Sequence, residues 1–269
     1  MALFDAALRN CSDDLGEVAR RGDAPLVIGR EAEARALAEL LIARKSVLLV
    51  GEAGVGKSAV IHRLLPDVVA GRIGGDAAGL RVYRTSTSRL ISETKYLGEW
   101  QSKLTSVVRD LVAEEFSVLY LTDVWNLTSV GRSESTDETM ADLLKEYIEG
   151  GRIAVLGEVT KAQVAAYLDR MPSFRNAFVP LRVDPIPPES ARPILASVAG
   201  HLASRRDVLF DESALDRAVE LTDRFLPYRH QPGKAIELFE RTVHLAGERE
   251  RAGRLEEVTA HTVEEAFAE

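Results

Sequence analysis

The sequence predicts an α/β fold in two parts: a P-loop parallel-sheet domain followed by a small α-helical lid domain. Three observations carry this. The string Gly-Glu-Ala-Gly-Val-Gly-Lys-Ser at residues 51–58 directly follows the apolar run Val47-Leu48-Leu49-Val50, the strand–loop–helix context of a phosphate-binding loop. Short apolar runs then alternate with helix-period patterns as far as residue 184, which implies a parallel sheet with ligands at the carboxyl ends of its strands. Three prolines lie within residues 185–188, a rigid break after which the pattern is helical throughout.

Taken in order, residues 1–24 are mixed and polar after a short apolar start and read as a lead-in segment, partly helical. Residues 25–184 form the nucleotide-binding domain. Ala34, Leu37, Ala38 and Leu41 draw one face of a helix at residues spaced three and four apart. The P-loop strand follows, and its helix carries Val60, Ile61, Leu64 and Leu65. Residues 71–79 hold four glycines and are expected to form a loop; residues 80–83 read as a second strand. A polar turn over 92–98 leads to an amphipathic helix marked by Trp100, Leu104, Val107, Val108 and Leu111. Residues 117–121 are a near-continuous apolar run, as expected of a central parallel strand. A polar loop from about 128 to 138 precedes a helix with Met140, Leu143, Leu144, Tyr147 and Ile148, closed by Gly150 and Gly151. Residues 153–156 read as another buried strand, Val164, Tyr167 and Leu168 as the helix after it, and 181–183 as a final strand. Residues 185–269 form the helical domain, with apolar stripes such as Ile194, Leu195, Val198, Leu202 and Ile236, Phe239, Val243.

Composition narrows the function classes. A chain of 269 residues with 46% hydrophobic and 28% charged residues is ordinary for a globular protein with a sizeable core. The net charge of −8 and pI of about 5.3 provide no global basic field for nucleic acid. The single Cys11 excludes an internal disulfide and suits a reducing compartment. No apolar run approaches the ~20 residues of a membrane span, and the first residues lack signal-peptide character. A cytoplasmic setting is expected.

The P-loop supplies the chemistry. Its glycines let backbone N–H groups approach phosphate oxygens, Lys57 reaches toward the β- and γ-phosphates, and the Ser58 hydroxyl serves Mg²⁺. The following helix points its positive end at the same anion. ATP with Mg²⁺ is the expected cofactor.

Several strings resemble the first nucleotide-binding domain of the Clp unfoldases and disaggregases, within the AAA+ ATPases. Leu26-Val-Ile-Gly-Arg-Glu31 is similar to the family's opening motif, and residues 51–58 match its P-loop. Lys95-Tyr-Leu-Gly-Glu-Trp100 resembles its substrate-gripping pore loop. Phe225-Leu-Pro-Tyr-Arg229 with Pro232-Gly-Lys-Ala-Ile-Glu-Leu238 resembles its lid motif. The resemblance implies nucleotide contacts from Val27 and Ile28, from Glu52, Ala53, Gly54, Val55, Gly56, Lys57, Ser58 and Ala59, and from Ile194 and Lys234. It implies that Tyr96 grips a threaded polypeptide, that Thr160 senses the γ-phosphate, and that the chain assembles into a ring with ATP at the subunit interfaces.

The departures concern catalysis. Where the family's strand ends in Asp-Glu, this chain has Thr122 and Asp123. A threonine hydroxyl is a weaker Mg²⁺ partner than a carboxylate, and Asp123 is one methylene short of the water-polarising Glu. A register shift, which would need a bulge, makes Asp123 the metal-side carboxylate; the plain alternative is a strand-end residue holding the next turn. The family's paired arginine fingers align with Asn176 and Ala177, with Arg175 and Arg182 nearby; such a finger is worth roughly 10³-fold or more in rate. Glu158 stands where the family has a small residue. Two functions follow: a Clp-like module that binds ATP and remodels or holds a protein partner with weak or impaired hydrolysis, and a non-catalytic ATP-binding scaffold or switch.

Overall fold

The structure is a computed structural model and describes residues 6–70, 72, 79–92, 99–114, 116–131, 138–206, 208–251 and 257–268. By packing, the chain forms two units. Met1–Pro25, Arg30–Val50 and Ser58–Arg182 make the sheet unit; Leu26–Gly29, Gly51–Lys57 and Val183–Glu269 make the helical unit. A single cut near residue 185 does not anticipate that two earlier segments, the P-loop among them, pack with the helices.

The sheet unit begins with helix α1 (Ala6–Cys11), the two-residue strand β1 (Asp13–Asp14) and helix α2 (Leu15–Arg20). The lead-in is therefore built into the sheet: β1 adds to one edge, antiparallel to β3 (Arg81–Thr85). Leu8 seals the attachment, its buried N–H donating to Asp110 Oδ2 at 3.1 Å. The remaining strands, β2 (Val47–Val50), β4 (Ser117–Leu121), β5 (Ala154–Val159) and β6 (Val179–Arg182), pair in parallel. The order is β1-β3-β4-β5-β2-β6. Because β2 and β3 lie on opposite sides of β4 and β5, the chain reverses its winding after the P-loop strand, the arrangement that opens a crevice at strand ends.

The helices follow the periodicity. In α3 (Glu31–Ile42) the buried residues are Ala34, Leu37, Ala38 and Leu41; in α4 (Lys57–Val69), Val60, Ile61, Leu64, Leu65 and Val68. Helix α6 (Glu99–Ala113) buries Trp100, Leu104, Val107, Val108 and Leu111, each large aliphatic contributing roughly 1.5–3 kcal/mol on leaving water. Between β3 and α6 sits the short α5 (Thr87–Ile91). Helix α7 (Met140–Glu149) starts on a capping box between Thr139 and Asp142 and stops at Gly150.

Two local features differ from the sequence reading. After β4, over residues to which that reading assigns no element, the chain winds a 3₁₀ turn, Val124–Thr128. Its Val124 lies over Gly157, where an added Cβ would meet Val124 Cγ1 at 2.5 Å. The helix after β5 is short: α8 (Lys161–Ala166) ends before Tyr167, whose ring pairs with Trp125 at a centroid distance of 4.6 Å. Helix α9 (Pro172–Asn176) leads into β6.

The helical unit contains α10 (Pro188–Arg206), α11 (Glu212–Phe225), α12 (Gly233–Arg251) and α13 (Ala260–Ala268). Its core gathers Leu195, Leu215, Leu221, Phe239, Val243 and Val263.

Candidate nucleotide site

The P-loop takes its shape from β2, which ends at Val50, and from α4, which begins at Lys57. Between them Gly54 and Gly56 hold φ of +83° and +95°, a region that side chains strain and glycine does not. Val55 is fully buried and pins the loop. The Lys57 ammonium curls back to donate to Gly51 O at 3.0 Å and Glu52 O at 2.9 Å. A helix of 13 residues opens here, so its positive end and first-turn N–H groups suit an anion.

Within the same unit, the connection between α11 and α12 presses on the loop. Gly233 N–H donates to Gly54 O at 3.1 Å. A Cβ on Gly233 would stand 2.6 Å from Gly54 O and 2.7 Å from Gly54 Cα, so only glycine allows this approach. The connection is fixed by a polar knot. Lys234 Nζ pairs with Asp223 Oδ1 at 2.7 Å and donates to Leu226 O at 3.4 Å; Gln231 Nε2 donates to Asp223 Oδ1 at 3.0 Å and Thr222 Oγ1 at 3.2 Å. Burial alone would raise the Asp223 carboxyl, but hydrogen bonds from Lys234 and Gln231 outweigh it and hold the group below its ordinary range. Lys234 is thus neither solvated nor aimed outward; its side chain is 6% exposed and supports the connection.

In the sheet unit, a second cluster forms at the carboxyl ends of β4 and β5. Ser58 Oγ donates to Glu158 Oε2 at 3.0 Å, and the Tyr120 hydroxyl donates to Glu158 Oε1 in a short hydrogen bond. The neighbouring registers Tyr120↔Leu156 and Leu121↔Gly157 bring these side chains together. Burial, and then the Glu158 carboxylate, push the Tyr120 hydroxyl well above its ordinary value, so it remains a donor at any physiological pH.

The strand-end pair is engaged elsewhere. Thr122 donates both its N–H (3.1 Å) and its hydroxyl (3.3 Å) to Thr85 O. Asp123 Oδ1 accepts from Thr87 N at 2.8 Å, tying the end of β4 to the start of α5. The ladder from Val118↔Ala154 to Leu121↔Gly157 runs without a slip, so no register shift moves Asp123 into the position of Thr122. Thr160 caps α8: its hydroxyl accepts from Gln163 N at 3.1 Å while Gln163 Oε1 accepts from Thr160 N at 2.8 Å, leaving the Thr160 O–H able to donate.

Of the remaining candidates, Val27 and Ile28 are partly to well exposed and group with the P-loop by packing, and Ile194 is half-buried on α10. Arg175 is exposed and paired with Asp169 at 2.5 Å; Arg182 is exposed on β6. Tyr96 lies outside the described residues. Sequence reasoning missed Asp223, Gln231 and Tyr120, whose roles arise only from folding; Glu158 was visible as an anomaly.

Two family models match. Residues 47–173 match the ATPase family associated with various cellular activities (AAA), and residues 188–263 match an AAA lid domain. The chain thus carries an AAA domain followed by an AAA lid domain. Among curated relatives of this AAA module are the chaperone protein ClpB of Aquifex aeolicus, 27% identical over 83% of the chain and 22% of the relative, and ClpB of Nitratidesulfovibrio vulgaris, 28% identical over 89% and 28%. A ClpA homolog protein of Fuscovulum blasticum is 26% identical over 88% of the chain and 30% of the relative. The module spans about a quarter of the length of these relatives. The Saccharomyces cerevisiae Hsp104–ADP complex superposes with a TM-score of 0.83 at 24% identity, over 96% of the module and 44% of that chain. Hsp104 with ATPγS and FITC casein gives 0.81 at 24%, over 97% and 46%. The shared fold is an AAA domain with a helical lid.

Proposed function

We propose that this AAA module binds ATP with Mg²⁺ and hydrolyses it weakly or not at all. The observation that carries the reading is the P-loop itself: two positive-φ glycines, Lys57 folded over the loop, and Ser58 in the first turn of α4 beside a carboxylate. Glu52, Ala53, Gly54, Val55, Gly56 and Ala59 supply backbone to the phosphates, Lys57 their countercharge, and Val27, Ile28 and Ile194 apolar contact. An oxygen donor set of hydroxyl and carboxylate suits Mg²⁺. When bound, the metal neutralises phosphate charge; the chain's own residues hold and orient it.

Weak hydrolysis follows from commitments already made. The Thr122 hydroxyl serves Thr85 O, and one Asp123 oxygen serves Thr87 N. Asp123 is thereby fixed in direction, and we read its function as partly structural, with Thr160 left as the polar γ-phosphate contact. Lys234 acts by positioning the connection that carries Gly233.

Assembly belongs to the same reading. The relatives are named chaperones, and we extend to this module a ring in which ATP lies at subunit interfaces and the Tyr96 loop grips a protein partner, in the cytoplasm. A scaffold or switch that only binds ATP is the competing reading, favoured by the engagement of Thr122 and Asp123. Titration with ATP–Mg²⁺ and steady-state phosphate release test both. Binding by the wild type that Lys57→Ala abolishes supports the module; turnover well above the Lys57→Ala control removes the scaffold reading, and no binding removes both.

A further inference from the structure

We infer that Glu158 on β5, rather than a residue at the end of β4, carries the metal-side carboxylate of this nucleotide site. The inference rests on the ATP–Mg²⁺ reading above and deepens it. Three observations support it. The residue whose hydroxyl a P-loop offers to the metal, Ser58, has Glu158 Oε2 3.0 Å from its Oγ. The strand-end position that follows β4 is Thr122, whose hydroxyl turns to Thr85 O, and the next residue, Asp123, turns to the α5 start. The Glu158 carboxylate is itself oriented, since Tyr120, 3% exposed, donates to its other oxygen.

The electrostatics agree. Mg²⁺ in phosphate sites is held through one or two carboxylates together with substrate oxygens. Glu158 is half-buried and Ser58 exposed, so the pair faces a place that a hydrated ion can reach. Tyr120, by donating to Glu158 Oε1, fixes the direction of the carboxylate's lone pairs, as outer-shell donors do for metal ligands.

The experiment uses Mn²⁺ as the probe, read by its EPR signal, with a non-hydrolysable ATP analogue and the whole chain. The affinity for the analogue in EDTA is measured in parallel. Glu158→Gln is expected to weaken Mn²⁺ binding to the analogue complex by at least about tenfold while changing metal-free analogue affinity by less than about twofold. Tyr120→Phe, which removes only the orienting donor, is expected to weaken Mn²⁺ by no more than Glu158→Gln does, at the low end of the about 10–100-fold cost of losing an outer-shell partner. It decides the question if Glu158→Gln loses metal-free binding through misfolding. Unchanged or tighter Mn²⁺ binding in both variants overturns the inference and leaves ATP binding standing. A loss confined to Asp123→Asn also overturns it. No analogue binding by the wild type in EDTA or Mn²⁺ overturns the underlying reading as well.

Discussion

Replacing Gly233 with alanine adds one methyl group where the α11–α12 connection meets the P-loop. The new Cβ would lie 2.6 Å from Gly54 O, 2.7 Å from Gly54 Cα and 3.0 Å from Gly54 C. Ordinary carbon contacts begin near about 3.5 Å, so the two backbones must separate by roughly 1 Å. The Gly233 N–H to Gly54 O bond starts at 3.1 Å and would stretch past hydrogen-bonding range. Overpacking costs about 1–3 kcal/mol, and loss of the bond about 1 kcal/mol more. Better helix propensity of alanine returns under about 1 kcal/mol. A net destabilisation of roughly 1–3 kcal/mol is expected by urea unfolding. Since the strain falls on the loop that receives phosphate, ATP–Mg²⁺ affinity should drop by about tenfold, the equivalent of ~1.4 kcal/mol. Gly247→Ala, on the same helix with its nearest neighbour at 3.9 Å, should leave affinity unchanged and stability equal or slightly higher. Equal ATP affinity for Gly233→Ala and wild type would refute the coupling of the connection to the P-loop.

The Asp223–Lys234 pair should respond asymmetrically. Lys234 is 6% exposed at the side chain and Asp223 35%; Asp223→Ala strands a buried ammonium at about 3–5 kcal/mol, whereas Lys234→Met leaves a carboxylate that water can reach and should cost clearly less in urea unfolding. Equal costs would mean that the ammonium hydrates in the variant. Changing Thr122→Asp together with Asp123→Glu should raise phosphate release by about tenfold or more; no rise would place the deficit away from the end of β4. Burial alone would raise the Asp13 carboxyl, but bonds from Arg89 (2.9 Å) and Arg84 (3.0 Å) hold it below its ordinary value. Its contribution is therefore fully present above the ordinary value of 3.8 and lost as pH falls through the lower folded value. These side chains are half-exposed, so Asp13→Asn should flatten the acid limb of the stability curve by under about 1 kcal/mol.

Much of the fold was legible because periodicity and burial coincide here. The faces of α3, α4, α6 and α7 are those the apolar spacing draws, and the P-loop declares itself by string and context. What could not be read depends on distant parts of the chain meeting. The addition of β1 to the sheet edge rests on Asp13 facing Arg84, a pairing with no local signal. The polar knot of Thr222, Asp223, Gln231 and Lys234 places a first-turn lysine inside the unit, against the usual expectation that it is solvated. Asp123 shows the limit most clearly: its type and position suit metal or water, and only the Thr87 amide reveals what one oxygen does. Glu158 was visible as a departure, but its meaning waited on Ser58 and Tyr120.

The central claim is that phosphate binding and hydrolysis have separated in this module. It is tested most directly by measuring, on one preparation, the ATP–Mg²⁺ dissociation constant and the single-turnover hydrolysis rate for wild type and Lys57→Ala. The account predicts saturable binding in the wild type, its loss in Lys57→Ala, and hydrolysis at or barely above the variant's background. Fast wild-type turnover, or equal binding by both proteins, would contradict it.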